Sequence, residues 1–218
     1  NIPGPRFTNW NFTKSVGGDY LVSPCTDNAG EEWEYITCTF GSTTAFIKEF
    51  NYANAIDDTF VLSSTIPSRL SSMTGLTKFS IADQALRGTI PAGVSSLTAL
   101  VEMDLSGNSL SGTIPDMGDI AETLTSLSLS DNHFSGTFDA NLLKLTKMET
   151  LHLQGNSIGG SLPTSLLSTF PSLQSLNLAG NSFFGSIPTA FFDADTNALT
   201  TLGLDSNSLT GTIPDMSK

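Results

Sequence analysis

The sequence predicts an α/β solenoid, a stack of similar coils that each add one short strand to a parallel sheet. The first observation is a repeat whose register advances by 24, 24, 24, 25 and 26 residues, from starts at Leu76, Leu100, Leu124, Met148, Leu173 and Leu199. A period in this range is typical of a solenoid. The second observation is the alternation of apolar and polar residues that opens each repeat, the period of a strand with one buried face.

An asparagine interrupts this apolar rhythm in five repeats, at Asn108, Asn132, Asn156, Asn181 and Asn207. A buried amide is costly unless it is hydrogen-bonded. Stacked coils supply the partners, because each amide can bond backbone groups of its own coil and of the neighbouring coil where the strand ends. We therefore expect a structural asparagine ladder.

The pattern L-x-x-L-x-L-x-x-N-x-L-x-G-x-I-P, seen in residues 100–115, resembles the plant-type class of leucine-rich repeats. This resemblance implies an extracellular domain similar to receptor-like kinase ectodomains and to polygalacturonase-inhibitor-like proteins. It also implies a superhelix with its parallel sheet on the concave face. Residues 46–218 are then the repeat domain, with about seven coils, a degenerate first coil and no C-terminal cap.

Residues 1–45 do not repeat and are predicted to cap the N-terminal end, because a terminal coil otherwise exposes its apolar core. The segment contains both cysteines, and Trp33 precedes the second of them. This arrangement resembles the N-terminal cap of plant-type members and implies a disulfide between Cys25 and Cys38. Two buried reduced thiols are the alternative. Asn11 begins the only N-x-S/T sequon and is a candidate glycan acceptor.

The charge balance excludes some partners. The chain has 21 acidic and 9 basic residues, a formal net charge of −12 and a pI near 4.2. Such a surface repels phosphate backbones, so we expect no nucleic-acid partner. No window reaches the roughly 18 to 20 apolar residues that span a bilayer. The resemblance implies an extracellular or cell-surface location, and we expect any membrane attachment to be through a segment outside this chain.

Motifs that suggest chemistry have a structural explanation. Residues 155–159 spell G-x-S-x-G, but a nucleophile elbow needs a strand, a sharp turn and a helix, whereas here the same residues form a repeat turn. Residues 193–197 resemble the start of a calcium loop but lack its glycine and late glutamate, which favours a solvated loop. His133 and His152 lie in different coils without a ligand cluster. We therefore expect no catalytic residue, metal or cofactor.

Outward-pointing positions of the concave sheet are the expected ligand-binding surface. The candidates are Lys78, Glu102, Asp104, Ser128, His152, Asn177 and Asp205. The first hypothesis is a non-enzymatic extracellular recognition module that binds a protein, peptide or glycan. The second is a building block of a filament or surface coat that self-associates through an open C-terminal end. The third is an ice- or polysaccharide-surface binder through a hydroxyl ladder, Thr89, Thr113, Thr137, Ser161, Ser186 and Thr212.

Overall fold

A computed structural model describes residues 36–40, 45–51, 65–66, 68–138, 140–192 and 198–213. Side chains are described from residue 65 onward, except those of Arg69 and Ser72. Asn11, Cys25 and the loop 193–197 lie outside these residues, so the glycan, disulfide and calcium-loop interpretations remain sequence predictions.

The main sheet has eight strands. In order they are β1 (Ile36–Phe40), β2 (Ala45–Asn51), β3 (Lys78–Ser80), β5 (Glu102–Asp104), β7 (Ser126–Ser128), β9 (Thr150–His152), β11 (Ser175–Asn177) and β13 (Thr201–Gly203). β1 pairs with β2 antiparallel, and each later neighbouring pair is parallel. The predicted solenoid with a parallel sheet is confirmed.

Equivalent positions of successive coils lie side by side in this sheet. Lys78 pairs with Glu102, and Glu102 with Ser126. Asp104 pairs with Ser128 in the same way. Because the register does not slip, each outward-pointing position of the repeat forms a straight row across the sheet.

A second, six-stranded parallel sheet runs along the flank. Its strands are β4 (Arg87–Gly88), β6 (Ser109–Gly112), β8 (His133–Thr137), β10 (Ser157–Ser161), β12 (Ser182–Ser186) and β14 (Ser208–Thr210). Its register differs from that of the main sheet. Ser135 pairs with Ser157, although Gly159 is its repeat equivalent, so the rows of this sheet run obliquely to the repeat.

Short helices close the described coils before β13. Five are 3-10 helices, Ser68–Ser72, Ala92–Ser96, Gly118–Ile120, Leu142–Lys144 and Thr189–Phe192, and one is an α-helix, Leu166–Thr169. Leucines from both sheets and these helices meet in one core, where Leu100, Leu105 and Leu110 are fully buried. Burying each such side chain contributes about 1.5–3 kcal/mol. The helical layer is thinner than the α/β class name suggests, because a coil leaves room for about one turn.

Asparagines connect the coils where the strands end. Asn132 is 5% exposed, and its Oδ1 accepts a hydrogen bond from the Leu110 N–H of the preceding coil at 2.9 Å. Its Nδ2 donates to the carbonyls of Leu105, Leu129 and Ser130 at 2.9, 3.2 and 3.0 Å. Asn108, Asn156, Asn181 and Asn207 bond in the same pattern. The ladder therefore satisfies backbone groups that the main-sheet strands leave unpaired.

Candidate ligand-binding site

Outward-pointing residues of the main sheet, together with the turn residues that follow its strands, form what we call the main-sheet face. Its first row is Lys78, Glu102, Ser126, Thr150, Ser175 and Thr201, and its second is Ser80, Asp104, Ser128, His152, Asn177 and Gly203. All seven sequence-predicted candidates lie on this face, with Asp205 two residues beyond the end of β13. Apart from Gly203, the residues of the two rows are polar.

An ion pair marks the first row. Lys78 Nζ lies 2.7 Å from Glu102 Oε2, and the two side chains are 37% and 48% exposed. A pair this exposed contributes about 0–1 kcal/mol to stability, because solvent screens it. Its effect is local, since the ammonium neutralises one carboxylate of the face.

Side chains of the second row are held by their own coils. Asp104 Oδ1 accepts hydrogen bonds from Ser106 N–H at 3.1 Å and Ser106 Oγ–H at 2.6 Å. Asn177 Oδ1 accepts from Ala179 N–H at 3.1 Å. These bonds fix the rotamers and direct the remaining carboxylate oxygen and the amide NH2 group toward other partners. Such preorganisation lowers the entropy cost of binding.

His152 is the histidine of the main-sheet face and lies near the middle of its second row. Its Nε2 lies 2.9 Å from Ser175 Oγ. Burial lowers the pKa of His152 below its usual value of 6.5, and the carboxylate of Asp104 opposes that shift. The imidazole is therefore neutral at neutral pH and does not offset the acidic residues around it.

The arrangement gives no support to catalysis. Ser157, the serine of G-x-S-x-G, is exposed and begins β10 of the flank sheet, whereas His152 ends β9 of the main sheet. The pair that does form, His152 with Ser175, has no hydrogen bond from the imidazole to a carboxylate in the described part of the chain. A nucleophile and base need such an orienting group and an oxyanion site.

Turn residues add carboxylates that the sequence analysis missed. Asp83 and Asp131 have positive φ angles of 54° and lean over the next coil. Their Oδ1 atoms lie 2.2 and 2.4 Å from where a Cβ on Gly107 or Gly155 would be. The sequence does alternate Asp and Gly at the position just before the ladder residue, as at Asp83, Gly107, Asp131 and Gly155. One turn taken alone does not show this alternation.

Gln154 follows His152 on the same face. Its Oε1 is buried and has no hydrogen-bond partner among the described residues. Buried polar atoms are seldom unpaired in native proteins, and each needs an explanation. The sequence analysis did not single out this position.

The flank sheet presents a different surface, the flank face. From β6 onward, its outward residues are Ser109, Ser111, Thr113, His133, Ser135, Thr137, Ser157, Gly159, Ser161, Ser182, Phe184, Ser186, Ser208, Thr210 and Thr212. None of these is Asp, Glu, Lys or Arg, whereas β4, which begins the sheet, carries the exposed Arg87. Phe184 is 56% exposed. The threonines also have a packing role, since Thr113 Cγ2 lies 3.1 Å from where a Cβ on Gly136 would be.

Neither a metal centre nor a membrane span is found in the described ranges. No cluster of three or more His, Cys, Asp or Glu side chains there could hold an ion. Likewise, none of the helices described above combines the length and apolar character that crossing a bilayer requires.

Comparison with known proteins identifies the repeat. The family model described as Leucine Rich Repeat matches residues 99–117, 123–145, 147–168 and 172–194. No curated protein gives a significant match.

Solved structures share the fold. The ectodomain of the Arabidopsis thaliana membrane receptor kinase GASSHO1/SCHENGEN3, in complex with CASPARIAN STRIP INTEGRITY FACTOR 2, is 38% identical over 69% of this chain, with a TM-score of 0.65. The plant peptide hormone receptor RGFR1 in complex with RGF2 is 34% identical over 71%, also at 0.65. This chain spans only 18% and 24% of those two chains. A plant ice-binding protein is 26% identical over 81% of this chain and 62% of its own length, at 0.68.

Proposed function

This chain belongs to the leucine-rich repeat family, in its plant-type class, and we propose that it is a non-enzymatic extracellular module that recognises a peptide or protein through the main-sheet face. Residues 1–45 serve as its cap and residues 46–218 as its repeat domain. The proposal includes the candidate site residues named above. It extends to this chain what the similar receptor ectodomains do.

The observation that carries the proposal is the ordered polar surface of the main sheet. Equivalent outward residues lie in register from β3 to β13, and Asp104 and Asn177 are each fixed by a bond within their own coil. A solenoid needs apolar residues only on the inner side of these strands. A preorganised outer side is therefore the part of the molecule best suited to a ligand.

A matched pair of bulky substitutions tests where a ligand binds. Ser128→Tyr places a ring at the centre of the main-sheet face, and Ser157→Tyr places the same ring on the exposed flank face. A peptide or protein isolated on the immobilised full chain should bind Ser128→Tyr at least tenfold more weakly and Ser157→Tyr unchanged. Equal binding to both variants, with melting temperatures preserved, would contradict the proposal.

The flank face favours a second candidate function, binding to ice or to a neutral polysaccharide. From β6 onward, the flank face presents regularly spaced hydroxyls without charged side chains. Such a surface suits a partner that itself presents neutral hydroxyl groups, and a structural neighbour is an ice-binding protein. Most of these hydroxyls make no hydrogen bond within the described part of the chain; Ser111 and Ser135 Oγ donate long bonds of 3.4 Å to backbone carbonyls. Phe184 stands above the hydroxyls, which suits stacking on a sugar ring better than contact with a flat crystal.

The second candidate is tested with the roles of the two faces exchanged. Thr137→Tyr should abolish any retention on insoluble polysaccharide and any inhibition of ice growth, while Ser128→Tyr should leave both unchanged. Phe184→Ala separates the two surfaces, because it should weaken polysaccharide binding without weakening ice binding. If Thr137→Tyr retained both activities, the flank face would have no such role.

A further inference from the structure

Within the recognition role proposed above, on which this inference rests, we propose that the ligand of the main-sheet face is a cationic, extended segment rich in Lys or Arg. The binding groups are carboxylates on the face and along its turn edge. The chemistry of the partner follows from a charge imbalance that the fold leaves on one side of the molecule.

Carboxylates outnumber cations on the main-sheet face. The acidic side chains on or bordering it are Asp83, Glu102, Asp104, Asp131, Glu149 and Asp205, and all except the half-buried Asp104 are exposed. The cation on the described part of this face is Lys78, which pairs with Glu102. His152 is held toward its neutral form by burial. A partner that brings positive charge removes this repulsion, and an anionic partner adds to it.

On the helical side of the same coils, two acidic residues are paired with lysines. Asp116 accepts a hydrogen bond from Lys144 Nζ at 2.5 Å, and Lys147 Nζ lies 3.6 Å from Glu122 Oε2. Lysine partners from the next coil therefore neutralise two carboxylates on that side. No lysine or arginine pairs with Asp83, Asp131, Glu149 or Asp205 in the described part of the chain. Asp119, on the helical side, is also unpaired in the described part of the chain, but the other carboxylates without a lysine or arginine partner there lie on the main-sheet side.

Two turn carboxylates also occupy a specific geometry. Asp83 and Asp131 both adopt positive φ, a conformation that non-glycine residues adopt at a cost, and both lean over a glycine of the following coil. They lie two coils apart, which corresponds to about 10 Å between parallel strands. An extended polyproline II segment repeats every three residues, or about 9 Å. Basic side chains three residues apart would therefore reach both carboxylates.

Second-row groups provide hydrogen-bond acceptors for the same segment. Asp104 uses Oδ1 within its own coil, so Oδ2 is available to a guanidinium or ammonium group. Gln154 Oε1 lacks a donor, and rotation of the amide toward the face would offer it to an N–H of the ligand. This neutral group borders the same face as the carboxylates, so a ligand N–H there would supply its missing donor.

The test uses the full chain and a short synthetic peptide with Arg at every third position, separated by Pro and Ser. A control peptide has Gln in place of each Arg. Asp83→Asn with Asp131→Asn removes two charges and keeps a residue type that tolerates positive φ. Asp119→Asn with Glu122→Gln removes two charges from exposed positions on the helical side and serves as the matched control.

We expect saturable binding of the Arg peptide that weakens with added salt, and no binding of the Gln peptide. The Asp83 and Asp131 double variant should weaken binding by about ten- to thirtyfold, because two exposed charge pairs near the upper end of their usual range together contribute that much. The helical-side double variant should bind like the parent chain. Equal loss in both double variants would show a non-specific charge effect and overturn the inference, as would undiminished binding in the Asp83 and Asp131 variant.

Failure of this inference is distinguishable from failure of the recognition role. Suppose that a natural ligand binds the Ser128→Tyr variant more weakly. If that ligand is neutral or acidic, or if it is insensitive to the Asp83 and Asp131 changes, the recognition role stands and the cationic segment is refuted. A ligand insensitive to Ser128→Tyr would refute the recognition role itself.

Discussion

The asparagine ladder predicts a specific non-additivity between neighbouring coils. Asn108 and Asn132 both donate to one carbonyl, that of Leu105, at 3.0 and 2.9 Å. Asn132→Ala removes one of these donors and also leaves the buried N–H of Leu110 without its amide acceptor. An orphaned buried group costs about 1–3 kcal/mol, so each single alanine variant should lower the free energy of unfolding by about that amount or slightly more.

The double variant should cost more than the sum of the singles. In either single variant the Leu105 carbonyl keeps one donor, but in Asn108→Ala with Asn132→Ala it loses both. The additional orphaned acceptor should appear as a coupling energy of about 1–3 kcal/mol. Asn108 and Asn156 share no carbonyl, so that pair should be additive within about 0.5 kcal/mol.

Urea unfolding of the four proteins in each cycle, followed by circular dichroism, measures these quantities. The reasoning would be refuted by a coupling energy near zero for Asn108 with Asn132. It would also fail if the Asn108 and Asn156 pair were coupled as strongly, since the effect would then be a general loss of stacking.

Three further predictions follow from other parts of the chain. Alkylation without reductant should add no mass at either cysteine, as a disulfide requires; two added alkyl groups would refute the bond. Gly107→Ala should destabilise the fold by about 1–3 kcal/mol, because the φ of Gly107 is 64° and the added Cβ would meet the carboxylate of Asp83. Gly180→Ala should cost less, because Gly180 has a similar φ of 62° but the nearest atom to its added Cβ is 3.4 Å away. Equal melting temperatures of the two variants would contradict this prediction. The pKa of His152 is lowered in the folded state, so its contribution to stability is present above its unfolded pKa and is lost as pH falls through the folded pKa. Asp104→Asn should lower the pKa of His152 further in an NMR titration, because it removes a carboxylate that favours the protonated ring. An unchanged or higher pKa would contradict this effect of Asp104.

Periodic residues made the fold predictable from the sequence. Leucine alternation gave the strands, and the recurrence of one asparagine per coil indicated the position of the ladder, because a buried amide needs partners that only stacking supplies. The oblique register of the flank sheet was not predictable, since pairing there is shifted by two residues relative to the repeat. No pattern in a single coil determines that shift.

The outward placement of the candidate residues was predictable from the sequence, whereas their contacts were not. Outward positions such as Asp104 and His152 follow from the strand period, which places alternate residues on one face. The contact between His152 and Ser175 depends on rotamers across two coils, and the unpaired oxygen of Gln154 depends on packing around it. The exposure of Phe184 was not predictable either, because either Phe183 or Phe184 fits an apolar position and the sequence does not show that Phe183 is the buried one.

The two histidines of this chain provide the most direct test of the central claim, recognition through the main-sheet face. His152 lies on that face and His133 on the flank face, and the chain has no other histidine. Imidazole C–H resonances, assigned with His133→Gln, can be followed by NMR while ligand is added to the full chain. Our account predicts that a bound peptide or protein shifts the His152 resonances and leaves those of His133 unchanged. Saturable binding that shifts only His133, or neither histidine, would contradict it.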